Sequence, residues 1–158
     1  MSTIEATSVI SSVIVDAPVE HCFRVFTTDF ATWWPASHHI AEGEMATCAI
    51  EPRVDGRWFE TGVDGVECEW GRVLAWAPPG HVALSWHLSP EFTYDPDPAH
   101  ASRVDVRFTD EGDGRTRVEL EHSQLDRHGD GWEQLKVGVS SDGGWPALIA
   151  AFATAAAR

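Results

Sequence analysis

Ser102-Arg-Val-Asp-Val-Arg-Phe-Thr-Asp-Glu-Gly-Asp-Gly-Arg-Thr-Arg-Val-Glu-Leu-Glu-His122 is the stretch on which the fold turns. Val104, Val106 and Phe108 alternate with Arg103, Asp105 and Arg107; beyond Glu111-Gly-Asp-Gly114, Val118, Leu120 and His122 alternate with Arg117, Glu119 and Glu121. A period of two sends successive side chains to opposite faces of a strand, and a Gly-Asp-Gly turn between two such runs closes a β-hairpin. One face of this hairpin is apolar and the other charged, the mark of an antiparallel sheet covered on one side.

The same period runs outward from it. Val82, Leu84, Trp86 and Leu88 share one face, His81, Ser85 and His87 the other. Arg57 to Thr61 and Val66 to Trp76 flank Val63-Asp-Gly65 as a second hairpin. At the start of the chain, the β-branched run Ile4 to Val15 reads as a first strand ending at Asp16-Ala17-Pro18. There Asp16 or Ala17 would cap a helix and Pro18 would take its first position, where no N–H is needed. Val19, Cys22, Phe23 and Phe26 then recur at helical spacing, and a second short helix carries Phe30, Trp33 and Trp34 up to Pro35. Near the other end, Trp132, Leu135 and Val139 are helix-spaced, Gly143-Gly144 makes a break, and Trp145, Leu148, Ile149 and Phe152 begin an alanine-rich terminal helix. Ser89 to Ala101, with three prolines, is a loop. The expectation is an α+β domain over residues 1–158 with about seven antiparallel strands.

Eleven Lys+Arg against twenty-five Asp+Glu give a net charge of −14, a surface that repels phosphate backbones and anionic headgroups. Nucleic acid and membranes are therefore not expected partners. The N-terminus has no basic segment followed by an apolar run, and no stretch approaches the roughly 20 apolar residues of a membrane span, which predicts a soluble, cytoplasmic protein. Cys22, Cys48 and Cys68 are unpaired in spacing and read as reduced, mostly buried thiols. No metal or cofactor is expected: His38-His39 with Glu42 and Glu44 is the sole suggestive cluster, and adjacent histidines diverge on a strand or loop. Nucleophile-elbow, zincin, phosphate-loop and dinucleotide motifs do not occur.

The residues Asp16-Ala-Pro-Val-Glu20, Trp33-Trp-Pro35, Val54-Asp-Gly-Arg-Trp-Phe-Glu60, Trp70-Gly-Arg-Val-Leu-Ala-Trp76, Val82-Ala-Leu-Ser-Trp86, the hairpin above and Gly144-Trp-Pro-Ala-Leu148 together resemble the SRPBCC (START-like) superfamily. Within it the chain is similar to the branch named for the activator of the heat-shock protein 90 ATPase. The resemblance implies a helix-grip fold: a bent antiparallel sheet wrapped around a long C-terminal helix, with an internal cavity between them.

Eight tryptophans against one tyrosine are the compositional anomaly, a large stock of rigid amphipathic surface. As core they would fill a small domain; as lining they would give a flat-walled pocket for a small hydrophobic or aromatic ligand. On the second reading Trp58, Trp70, Trp86, His122, Trp145, Leu148 and Phe152 line the cavity, Trp33 and Trp34 stand at its mouth, and Glu60 or His122 is the polar contact. The bland alternatives are a satisfied core histidine at 122 and an ion pair of Glu60 with Arg53, Arg57 or Arg72. Three functions follow: a non-enzymatic binder of a small hydrophobic molecule; a co-chaperone-like module acting on a heat-shock protein 90 type ATPase in the stress response; or an enzyme resembling polyketide cyclases and aromatases. A monomer or weak homodimer suits each.

Overall fold

Seven strands form one antiparallel sheet: β1 (Val9–Val15), β2 (Met45–Ile50), β3 (Arg57–Gly62), β4 (Glu67–Ala77), β5 (His81–Trp86), β6 (Ser102–Gly112) and β7 (Arg115–Ser123). The structure is a computed structural model that describes residues 7–35, 37–39 and 43–157. The readings that involve Ile4 to Ala6 in the first strand and Glu42 beside the histidine pair lie outside these. Strands β2 to β7 follow one another as a meander, and β1 pairs with β7 to give the order β1-β7-β6-β5-β4-β3-β2. The β6–β7 hairpin has the expected register, Val106 opposite Leu120 and Phe108 opposite Val118. Its turn uses left-handed backbone at Gly112, Asp113 and Gly114, which glycine adopts freely and Asp tolerates.

Among the described residues three helices cover the concave face: α1 (Val19–Phe26), α2 (Trp132–Ser140) and α3 (Trp145–Ala156). Helix α1 starts one residue later than the proline rule suggests, because Pro18 is itself the extended cap residue. It buries Cys22, Phe23, Val25 and Phe26. The second short helix is a single 3-10 turn, Phe30–Thr32. Trp145, Leu148, Ile149, Phe152 and Ala156 form the buried stripe of α3, which packs on β1 and α1. Phe152 is wedged between Phe26 at 5.2 Å and Trp33 at 5.6 Å. The long C-terminal helix is thus bent, α2 and α3 meeting at residues 141–144. Gly144 is required there, since a Cβ would collide with the carbonyl oxygens of Val139 and Gly138.

Two features were not visible in the pattern. Strand β2, Met-Ala-Thr-Cys-Ala-Ile, has no clear alternation and is held by pairing with β3. The outer face of β5 was expected to be wet, yet Ser85 and His87 are buried. The 89–101 loop folds back over them: His87 bonds the Asp95 carbonyl through Nδ1 (2.8 Å) and Ser85 Oγ through Nε2 (2.9 Å). No helix among the described residues is long and apolar enough to cross a membrane.

Candidate functional site

A cavity of about 390 Å³ opens between the sheet, the segment after the 3-10 turn and the α2–α3 junction. This is within the usual range for a small-molecule site, roughly 300–1,000 Å³. Parity delivers its walls. Trp70 comes from β4, Trp86 from β5, Trp145 and Leu148 from α3, and Trp34 from the segment that closes over the sheet. Leu88, Phe92 and Val139 complete the apolar lining, while Ser37, His38, His39 and Ser141 form its polar part.

The four wall indoles pack against one another, Trp34 on Trp70 at 5.2 Å and Trp86 on Trp145 at 5.7 Å, with Trp34 to Trp145 at 6.3 Å. Each has its N–H engaged by protein. Trp34 Nε1 donates to the His38 carbonyl (2.8 Å) and Trp86 Nε1 to the Leu88 carbonyl (3.1 Å). Trp70 Nε1 donates to Glu60 Oε1 (2.8 Å) and Trp145 Nε1 to His122 Nδ1 (3.0 Å). An indole N–H is a donor only, so none of the four is left to solicit a partner from a bound molecule.

The remaining residues singled out from the sequence stand behind this wall. Trp58 is sealed between Trp70 (5.6 Å) and Trp86 (5.7 Å), its N–H without an acceptor among the described residues. Trp33 donates to the Val25 carbonyl at 3.0 Å and, with Phe152, belongs to the aromatic layer beneath α1. Glu60 and His122 are fully buried and do not line the cavity. Glu60 accepts from Trp70, while the three arginines offered as ion-pair partners bond other carboxylates: Arg53 and Arg57 engage Glu51, Arg57 also Glu67, and Arg72 engages Glu69. Glu60 sits between Cys48 and Cys68 in register, and burial, helped by the carboxylate, pushes the Cys48 thiol up to about 12, an unreactive state. Burial pushes His122 down to about 3, so its ring is neutral at physiological pH.

His38 and His39, read from the sequence only as poor metal ligands, are the titratable groups of the cavity lining. Among the described residues no group of three or more His, Cys, Asp or Glu could hold a metal ion. His38 Nε2 donates to the Gly143 carbonyl (3.0 Å) across the mouth, and Ser37 Oγ lies 3.2 Å from its Nδ1. The link spans 105 residues of sequence, and only the Gly143-Gly144 break hinted at an exposed carbonyl there. A second groove, of about 450 Å³, lies on the outer face beside Arg72, Ser85, His87, Tyr94, Arg103 and Arg127; Arg72 is already paired with Glu69, Arg103 with Asp105, and Arg127 bonds the Pro98 and Ala99 carbonyls.

Comparison with known proteins gives the family and the fold. No protein of curated function matches the chain. Among solved structures, an anthrahydroquino-gamma-pyrone synthase, Txn09, solved in a complex, is 44% identical over 98% of this chain and 99% of its own, with a TM-score of 0.66. CalC of Micromonospora echinospora, a self-sacrificing resistance protein, is 25% identical over 95% of this chain and 94% of its own, with a TM-score of 0.66. NE0264 of Nitrosomonas europaea, 13% identical over 99% of this chain and 97% of its own, shares the fold with a TM-score of 0.67. The family model described as "Activator of Hsp90 ATPase homolog 1-like protein" matches residues 16–157, and the chain belongs to that family.

Proposed function

We propose that the chain, acting as one domain, binds a planar, hydroxylated polycyclic aromatic molecule in the tryptophan-walled cavity and promotes closure of an oxygen heterocycle on it. The observation that carries this reading is the wall itself. Trp34, Trp70, Trp86 and Trp145 present stiff aromatic surface with every N–H turned to protein, and the lining adds the imidazoles of His38 and His39 and the hydroxyls of Ser37 and Ser141. Such a slot rewards flat ring systems and directs their hydroxyl groups towards the imidazoles. Ring closure by addition of a phenol oxygen across an activated carbon–carbon π bond forms one C–O bond, breaks the O–H and π bonds and returns the proton to carbon, a transfer an imidazole performs near neutral pH once the reacting atoms are held together. The 44% identical synthase, whose name places an anthrahydroquinone in its reaction, supports the substrate class.

Titration of the intrinsic fluorescence with 1,8-dihydroxyanthraquinone tests binding. One-to-one saturable quenching is expected, weakened about tenfold or more by Trp34→Ala. Quenching that never saturates contradicts the reading. Conversion of an uncyclised hydroxyanthraquinone precursor, abolished in a His38→Ala/His39→Ala double variant, tests ring closure. The family description favours a second reading, a co-chaperone-like module, which predicts a rise in the ATPase rate of a heat-shock protein 90 on mixing. In either role the chain is read as a cytoplasmic monomer or weak homodimer.

A further inference from the structure

Resting on the cavity reading above, we infer that Glu60 and His122 are positioning residues: neither touches the cavity, and each fixes the orientation of one wall indole, Trp70 and Trp145 respectively. Both occupy fully buried, inward-facing positions where an aliphatic side chain would satisfy packing, and burying a polar group is costly unless it makes hydrogen bonds. Each does so with an indole that lines the cavity, at 2.8 Å and 3.0 Å.

The direction of every proton at His122 follows from chemistry. Trp145 Nε1 can only donate, so His122 Nδ1 accepts, and the proton of the neutral ring resides on Nε2. That proton goes to Ser102 Oγ at 2.7 Å. The Ser102 hydroxyl is also 2.7 Å from His128 Nε2, a contact made with either tautomer of that ring. Burial keeps both rings uncharged, His128 being pushed down to about 4. Donors and acceptors therefore interlock along Trp145, His122 and Ser102 with one consistent orientation, since the other tautomer of His122 would set an Nδ1–H against the Trp145 N–H.

This divides the wall in two. Trp34 and Trp86 are held by backbone carbonyls, which no side-chain substitution removes. Trp70 and Trp145 are held by side chains, so single substitutions far from any ligand can release them. A released indole has a buried N–H to satisfy, and the cavity is the place where water can satisfy it. The slot then changes shape and polarity together.

Two pairs of variants separate this role from simple core packing. Asn places an oxygen near the position of His122 Nδ1 and retains an acceptor for Trp145; Gln reaches towards the Ser102 side and leaves Trp145 without one. Glu60→Gln retains an acceptor for Trp70, whereas Glu60→Leu does not. Indole N–H resonances of the free protein and affinity for 1,8-dihydroxyanthraquinone are measured for all four, beside their melting temperatures. His122→Gln and Glu60→Leu should each lose about tenfold in affinity and move the Trp145 or Trp70 N–H resonance, respectively; the conservative partner of each pair should recover most of both. Unmoved N–H resonances with unchanged affinity in His122→Gln and Glu60→Leu overturn the inference, as do equal losses within each pair. A wild-type protein that binds no hydroxyanthraquinone overturns the cavity reading instead, and the N–H resonances then decide the positioning claim alone.

Discussion

The two faces of the sheet solve the burial of polar groups in opposite ways. On the outer face charges meet charges: Arg57 bridges Glu51 and Glu67, Arg72 holds Glu69, and Asp105 collects Arg103 and His81 at 2.8 Å each. On the concave face the polar groups Glu60 and His122 are bonded to indoles, and no arginine, lysine, aspartate or glutamate lines the cavity among the described residues. The chain's strong negative charge is thus kept off the lining of this cavity among the described residues. The outer groove is of similar size but is lined by arginines already satisfied, so size alone does not distinguish the faces; chemistry does.

Substitutions on the two faces should therefore differ in size and in pH dependence. The largest effect is expected at Phe152, fully buried against Phe26 and Trp33: Phe152→Ala should cost about 3–5 kcal/mol in denaturant unfolding. A loss below about 1 kcal/mol would mean that the concave face is not the main core.

Acid should separate the faces next. His122 and His128 have folded values of about 3 and about 4 against an unfolded value near 6.5, so the unfolded chain binds more protons in between. Their contribution to stability is present above pH 6.5 and is lost as pH falls, by roughly 1.4 kcal/mol per unit for each ring until its folded value is reached. His100, exposed in the outer loop and raised by its bond to Asp95, has the opposite sign: its contribution is present below about pH 6.5 and lost as pH rises through its folded value. Unfolding curves between pH 4 and 8 should accordingly change slope in opposite directions, below about pH 6.5 for His122→Asn and above it for His100→Ala; slopes changing the same way would contradict the assignment.

Smaller effects belong to the outer face. Asp105→Asn removes a nearly buried carboxylate whose burial penalty is outweighed by Arg103 and His81, and roughly 1–3 kcal/mol should be lost. Arg117→Ala breaks only a half-exposed pair with Glu111 and should change stability by less than about 0.5 kcal/mol by the same assay.

Most of the frame was legible in the sequence because it is local. The β6–β7 hairpin, the inward stripe of Val118, Leu120 and His122 and the helical stripe from Trp145 to Phe152 follow from periodicity within a few residues. What escaped depends on distant contacts. Nothing near His38 indicates that it reaches the Gly143 carbonyl, and nothing in β5 indicates that the 89–101 loop will cover His87. The inward parity of Glu60 was readable, yet it accepts from an indole on the next strand, Trp70, two residues along from its register partner Cys68, while Arg57 bonds Glu51 and Glu67.

A crystal structure of the protein grown with 1,8-dihydroxyanthraquinone tests the central claim most directly. The account predicts the ring system in the concave cavity against Trp34, Trp70, Trp86 and Trp145, its hydroxyl edge towards His38 and His39, with the four indole N–H bonds intact. Density for the ligand in the outer groove beside Arg72 and Arg103, with the tryptophan cavity empty, would contradict it.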